Sequence, residues 1–485
     1  MSPAKALGRE PGAVLDGFVL EERVHRGSMA EIWRVRRPEA SAPLVMKIPS
    51  FGDGDDPAAL VGFEVEQMIL PTLSGVHVPR FLAAGDWSVQ PYLVMEHIPG
   101  PSLRARLDET PLPPAEVARI GTRIADALHD LHRQHVIHLD VKPSNVMFRD
   151  AGTAVLIDFG LSRHDRLPDL LAEQFRLPIG TGPYISPEQI AQIRNDPRSD
   201  IFSLGVVLYH LATGERPFGN PTGVRGLRRR LYRDPIPPRA RNRDCPPWLQ
   251  EAILRCLEVA PADRYETAAH LGFELQHPGQ VPLTTRASRV CRDGPLTTLK
   301  RRLRRIGVEP DLRRSATEQL SRAPMIAVAL DLAQGSEALA EALFLTTRRL
   351  LQTEQGARLA CLTVLKTSRI GMDSSVDAEG RSIRMRRLVE LRHWAHPLGL
   401  GVGRVTHHVL EAPDPGAAIL EFAEANQVDH VVIGSRGSST LRRYLGSVSS
   451  QVVAQATCSV TVVKARPAEP ASTAQPVEPS PPLAP

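Results

Sequence analysis

Three groups able to handle a phosphate lie within six residues of one another: Asp140, Lys142 and Asn145, in the run His138-Leu-Asp-Val-Lys-Pro-Ser-Asn145. A fourth follows in Leu156-Ile-Asp-Phe-Gly160, where Asp158 sits on a strand-like apolar run that ends in glycine. Moving a phosphoryl group from a metal-bound nucleotide to a hydroxyl asks for this set. One carboxylate takes or orients the hydroxyl proton, one ammonium offsets charge on the moving group, and an amide with a second carboxylate holds the metal.

Several elements must position these residues. Phe18 to Val35 reads as two strands joined by a turn, and Leu44–Ile48 as an apolar strand carrying one lysine, Lys47. Phe63–Leu70 reads as helix, after an acidic loop (Gly52–Asp56) expected to be a solvated turn. Tyr92–Gly100 reads as a strand closed by a Pro-Gly turn. From Pro114 to Gln134, Val117, Ile120, Ile124, Ala127, Leu128 and Leu131 recur at helical spacing. His129, His132 and His135 close that stretch without a carboxylate or cysteine set, so they are read as structural rather than metal-binding.

Together the two blocks resemble the catalytic and metal-binding loops of eukaryotic-type Ser/Thr protein kinases as found in bacteria. The resemblance runs from about Asp16 to His277 and implies a bilobal α+β fold using ATP with Mg2+ or Mn2+. It casts Asp140 as catalytic base, Lys142 as the γ-phosphate contact, and Asn145 and Asp158 as metal ligands. Lys47 matches the lysine that grips the α/β-phosphates. Its ion-pair partner is Glu66, with Glu64 the alternative. Met95, Glu96 and Ile98 fall where the hinge reads the adenine. In the glycine-rich loop His25, Gly27 and Ala30 take the three glycine places, so only Gly27 remains. The family's arginine before the catalytic aspartate is Leu139, and Arg163–Pro178 holds no Ser, Thr or Tyr. With neither a phosphate to receive nor an arginine to receive it, mid-loop phosphorylation is not expected to switch the enzyme. Thr181, in Gly180–Glu188, matches the residue that contacts the catalytic Asp and Lys and selects a Ser/Thr protein substrate. Glu188 is expected to pair with Arg264, and Asp200 to bind the catalytic-loop backbone.

Composition bounds the rest. The 485 residues are 42% hydrophobic and 23% charged, with no apolar run of bilayer length, and Met1–Gly17 lacks the apolar core of a signal peptide. Five scattered cysteines without a C-x-x-C fit a reducing cytosol, so a cytoplasmic protein is expected. The net charge of +5 is concentrated in Arg286–Arg314, with ten Lys/Arg against three Asp/Glu. Leu299, Leu303 and Ile306 there share a helical face, read as a short docked helix. Contact with an anionic membrane is the competing reading, and the lack of interleaved aromatics argues against nucleic acid.

From Met325 strands and helices alternate, implying an α/β doubly wound, Rossmann-like parallel sheet. Gly434-Ser-Arg-Gly437 after a strand, then Gly446-Ser447, offer amides and a hydroxyl to phosphates. This part, Pro324–Arg466, resembles the universal stress protein family. The resemblance implies a second ATP near Asp331, Gly434, Gly437, Gly446 and Ser447, although eight residues stand between Gly437 and Gly446 where ATP-binding members have nine. It also implies a homodimer through Thr457–Val463. The expected partition is a disordered tail (1–16), a kinase domain (17–278), a basic linker (279–322), a stress-protein domain (323–466) and a disordered Pro-rich tail (467–485). Three functions remain open: a Ser/Thr protein kinase modulated by a stress sensor, a pseudokinase that reports ATP to a partner, and a small-molecule phosphotransferase.

Overall fold

The computed structural model describes residues 10–27, 30–39, 42–50, 57–87, 90–221, 223–291, 323–332, 337–354, 356–367, 382–401, 403–435 and 447–465. Gly437, Gly446, the acidic loop, Leu299–Ile306 and both outermost tails lie outside them. The chain divides into two compact units, one built mainly on residues up to Arg322 and one mainly on those from Ala323.

The first unit opens with an antiparallel sheet of β1 (Val14–Leu15), β2 (Phe18–Arg26), β3 (Ala30–Arg36), β4 (Leu44–Pro49), β5 (Phe81–Ala84) and β6 (Leu93–Glu96), ordered β1-β2-β3-β4-β6-β5. Side chains alternate across a strand. On β4, Leu44, Met46 and Ile48 enter one buried cluster with Phe18, Trp33 and Val94, so Val45 and Lys47 face the other way. Helix α1 (Pro57–Ile69) starts earlier than the apolar pattern indicates, with Pro57 in its first turn, a position that tolerates the missing N–H. Its buried face carries Gly62, Val65, Glu66 and Ile69, while Glu64 is only half-buried.

The helical part is built on α2 (Pro114–Arg133), which buries Val117, Ile120, Ile124, Leu128 and Leu131 against helices Arg198–Thr213 and Ala268–Gln276. Two short strand pairs frame the chemistry-bearing stretch. β7 (Val136–Ile137) precedes it and β8 (Val146–Phe148) follows; β9 (Ala154–Leu156) pairs with β8, and β10 (Arg163–His164) returns to β7. Beyond Pro278 the chain stays on this unit. Helix Thr285–Ser288 is held by Gln250, whose amide donates to the carbonyls of Arg286, Ala287 and Arg289, and Arg286 and Arg289 form ion pairs with Glu251 and Asp234.

The second unit is a five-stranded sheet of β11 (Met325–Ala329), β12 (Arg358–Lys366), β13 (Val405–Ala412), β14 (His430–Ser435) and β15 (Ser459–Lys464), ordered β13-β12-β11-β14-β15. The pairings of β11 with β12 and β14, and of β14 with β15, are parallel. Helices Glu337–Thr353, Ile383–Ala395, Pro415–Ala425 and Ser447–Gln455 alternate with the strands, and strand order reverses at β11/β14, as a doubly wound sheet requires. Among the described residues no helix is long and apolar enough to cross a membrane.

Candidate active site

Lys47 points off β4 into the space beneath α1. Its ammonium lies 2.5 Å from Glu66 Oε2 and 2.9 Å from Asp158 Oδ1. Helical phase selects Glu66 over Glu64, because only Glu66 lies on the buried face, 1% exposed. The backbone N–H of Phe159 donates to the other Glu66 oxygen at 3.3 Å. Burial alone would lower the Lys47 pKa, but the Asp158 and Glu66 carboxylates outweigh it and hold it well above its usual value. Lys47 in turn holds the Asp158 carboxyl down to about 2, whereas burial pushes Glu66 up.

The second cluster surrounds Asp140. Lys142 Nζ donates to Asp140 Oδ2 at 2.6 Å and to Thr181 Oγ at 3.0 Å. Thr181 Oγ donates to Asp140 Oδ1 at 2.6 Å, and Asn145 Nδ2 donates to Asp140 Oδ2 at 3.0 Å. Both clusters are joined by the β8/β9 hairpin: its register pairs Val146 with Leu156, and the Ile157 N–H donates to the Asn145 carbonyl at 3.0 Å. The hairpin therefore carries Asp158 back beside the Asp140 loop. Two residues here adopt left-handed backbone that L side chains avoid, Leu139 at φ 60° and Asp158 at φ 67°. Asp200, fully buried, holds the first turn by accepting from the amides of His138 and Leu139, each at 2.8 Å. His132 also binds Asp200, at 2.9 Å, while His135 pairs with Asp165 at 2.8 Å. The three histidines thus do not converge, and no cluster of three or more His, Cys, Asp or Glu suited to a metal occurs among the described residues.

Met95 and Ile98 are buried at the end of β6. The Glu96 side chain turns to Arg149, whose Nη2 donates at 3.0 Å. Gly27 closes the β2/β3 turn, its N–H donating to Ala30 O at 2.9 Å. Helix α1 approaches the Asp158–Gly160 segment through two glycines: a Cβ on Gly62 would stand 3.1 Å from Gly160 O, and one on Gly160 3.2 Å from Gly62 O.

Sequence reading missed two anchors of the segment after Gly160. Asp169 caps helix Leu170–Gln174 and accepts from Arg194 Nε at 2.9 Å, with Arg163 at 3.8 Å. Arg230, 1% exposed, has no carboxylate partner among the described residues; its guanidinium donates to Gly182 O at 2.7 Å and to the carbonyls of Pro183 and Ile185 and stacks over Phe218, while Nε finds no partner among them. Burial pushes its pKa down to about 10. The partners of Arg230 are backbone carbonyls, so no residue type marked them. The pairing of Asp169 with Arg194 gives no spacing signal. Glu188 and Arg264 form the expected buried pair, at 2.6 Å.

In the second unit, Asp331 and Gly434 line a cavity of about 290 Å³ together with Thr363, Lys366 and Ile433, at the strand ends beside the β11/β14 reversal. Ser447 begins the last helix and is not among the lining residues.

The oxygen donors fit a hard divalent cation. Asp158 is kept ionised, and the Asn145 amide nitrogen is committed to Asp140, so only its oxygen is left for a metal.

Residues 18–275 match the protein kinase domain family, and residues 325–464 match the universal stress protein family. The Serine/threonine-protein kinase PknB of Mycolicibacterium smegmatis is 31% identical over 279 residues, covering 56% of this chain and 45% of that protein. The Serine/threonine-protein kinase PknL of Mycobacterium tuberculosis is 31% identical over 272 residues, covering 55% of this chain and 68% of that one. The chain spans about half the length of most of the curated relatives it matches. The kinase domain of Mycobacterium tuberculosis PknI aligns with a TM-score of 0.44 at 23% identity, covering 56% of this chain and 99% of that one. With a kinase match over more than half its length, the chain belongs to the protein kinase family and carries a C-terminal universal stress protein region.

Proposed function

We propose that the chain is a serine/threonine protein kinase that moves the γ-phosphoryl of Mg-ATP onto a protein hydroxyl. The observation that carries this reading is the meeting of Lys47, Glu66 and Asp158 with the Asp140–Lys142–Asn145–Thr181 cluster across one hairpin. Asp140 accepts the proton of the incoming hydroxyl, and Lys142 lies where it offsets charge on the transferred group. Lys47, kept charged and aimed by Glu66, turns from Asp158 to the α/β-phosphates. Asn145 and Asp158 hold Mg2+ or Mn2+, which supplies charge neutralisation on the phosphate oxygens. The backbone at Glu96 and Ile98 reads the adenine edge with Met95 behind it, and Gly27 lies over the phosphates.

The kinase works without mid-loop phosphorylation. Leu139 replaces the receiving arginine, and the Asp169 carboxylate already engages Arg194, with Arg163 close by. The second unit acts as a nucleotide sensor, with ATP in the cavity beside Asp331 and Gly434. It pairs with a second copy along β15 and modulates transfer. The protein works in the cytoplasm.

The test is radiolabel transfer from ATP to the protein itself and to a basic test protein. Asp140→Asn is expected to lower transfer by about 10²–10⁴-fold, while thermal stabilisation by Mg-ATP persists. Transfer at the wild-type rate in that variant overturns the assignment.

A further inference from the structure

Thr181 donates to Asp140, so the residues directly after it, Gly182–Ile185, lie within a few residue lengths of the accepting hydroxyl. Helix Val224–Arg228 packs on that segment: a Cβ on Gly182 would stand 3.8 Å from the Leu227 side chain and 3.3 Å from Pro221 O. Residues 224–233 read Val-Arg-Gly-Leu-Arg-Arg-Arg-Leu-Tyr-Arg, five arginines with no acidic residue. Arg230 is spent inward on the carbonyls of Gly182, Pro183 and Ile185. Arg225, Arg228, Arg229 and Arg233 are exposed and have no ion-pair partner among the described residues.

Exposed arginines without an ion pair among the described residues stand singly elsewhere on the first unit, as at Arg133 and Arg243, whereas here four fall within nine residues. Arginines elsewhere on the first unit's surface are commonly matched: Arg34 and Arg36 with Glu21, Arg37 with Glu39, Arg119 with Glu116. The two carboxylates nearest the patch in sequence are already engaged, Glu215 by Arg241 at 3.3 Å and Asp234 by Arg289 at 3.0 Å. Arg229 and Arg233 also line a groove of about 420 Å³, whose wall carries Arg216 and Arg241 together with the carboxylates of Glu215 and Asp234. The arginines of this stretch outnumber the carboxylates beside them, and the excess positive charge repels itself, a cost relieved when an anion arrives.

Resting on the kinase reading, we propose that this arginine face selects the substrate: it takes protein segments with several Asp or Glu residues within a few positions of the accepting Ser or Thr. A protein segment is favoured over a lipid or nucleic-acid surface because the patch adjoins the residues that follow Thr181. There an acidic stretch and an accepting hydroxyl can be bound by one chain.

The test uses the full chain, Mg-ATP and four peptides with one central threonine: acidic residues after it, acidic residues before it, neutral, and basic after it. At least one of the two acidic peptides is expected to exceed the neutral one by about 5- to 30-fold in kcat/KM, mostly through KM, from a few exposed charge pairs. The ratio should shrink toward one between 50 and about 500 mM NaCl as screening shortens. The double change R228E/R229E should collapse or invert the ratio. Salt dependence in the wild type gives the same answer should that variant fold poorly. Equal labelling of all four peptides, or preference for the basic one, overturns the proposal and leaves the kinase reading intact. No label in any peptide or in the protein itself overturns the kinase reading and this one with it. Equal labelling together with binding to phosphatidylserine vesicles or single-stranded DNA overturns the proposal and reassigns the face.

Discussion

Lys47 stands between two carboxylates, and its charge holds both in place. Lys47→Met leaves Glu66 buried and the part-exposed Asp158 beside it without a cation, so stability should fall by about 3 kcal/mol in a urea melt, mainly through Glu66, and label transfer should drop to background. The sign of the pH dependence follows from Asp158. Its carboxyl is depressed from 3.8 to about 2, so its contribution is complete above about pH 4 and is lost as pH falls toward 2. The stability margin of wild type over Asp158→Asn should therefore be flat from pH 7 to 5 and narrow below 4. Arg230 acts at a distance from the chemistry. Arg230→Met leaves three carbonyls short of donors, and KM for peptide should rise while KM for ATP stays put, with partial recovery in Arg230→Lys. Asp140, Lys142, Asn145 and Asp158 were legible because their roles demand particular side chains close together in the chain. Arg230 was not, because any sequence presents carbonyls. Glu66 matched the spacing best with Glu64 as the alternative, and the phase of α1 separates them, burying only Glu66.

At the scale of elements, α1 and the Asp158–Gly160 segment can approach because neither Gly62 nor Gly160 has a side chain. Gly62→Ala adds a carbon 3.1 Å from a carbonyl oxygen, which must lift α1 and draw Glu66 from Lys47. Alanine favours helix by about 1 kcal/mol over glycine, so global stability should change little while transfer falls by about tenfold or more. A variant as active as wild type would mean that α1 has room to give. Asp169→Ala removes the carboxylate that Arg194 and Arg163 share, and activity should fall without any change in phosphate content by mass spectrometry. Strands and α2 were readable from alternation and helical period. The start of α1 was not, since Pro57-Ala-Ala carries no apolar rhythm, and β1 is two residues long, too short to show a period.

For the whole molecule, each unit has its own buried centre: Met325, Ala327, Leu362, Val431 and Phe422 in the second share no residue with the sheet cluster of Trp33 and Met46 in the first. A chain ending at residue 321 is therefore expected to keep its ATP-dependent thermal shift, and any change in its transfer rate measures what the second unit contributes. The alternation of strands and helices after Met325 made the doubly wound sheet legible. Pocket residues contributed by separate strands, such as Thr363 and Lys366, were not, since nothing local distinguishes a side chain at a strand end from one in the middle.

The Asp140 carboxylate has roughly four lone-pair sites. Lys142 and Asn145 occupy Oδ2 and Thr181 occupies one site on Oδ1. One direction of entry remains, and a hydroxyl tethered to a polypeptide can be steered along it. A loose water molecule gains no such guidance, so ATP breakdown without an acceptor should be a small fraction of total turnover: in the proposed mechanism the Asp140 carboxylate is also the guard against wasted fuel.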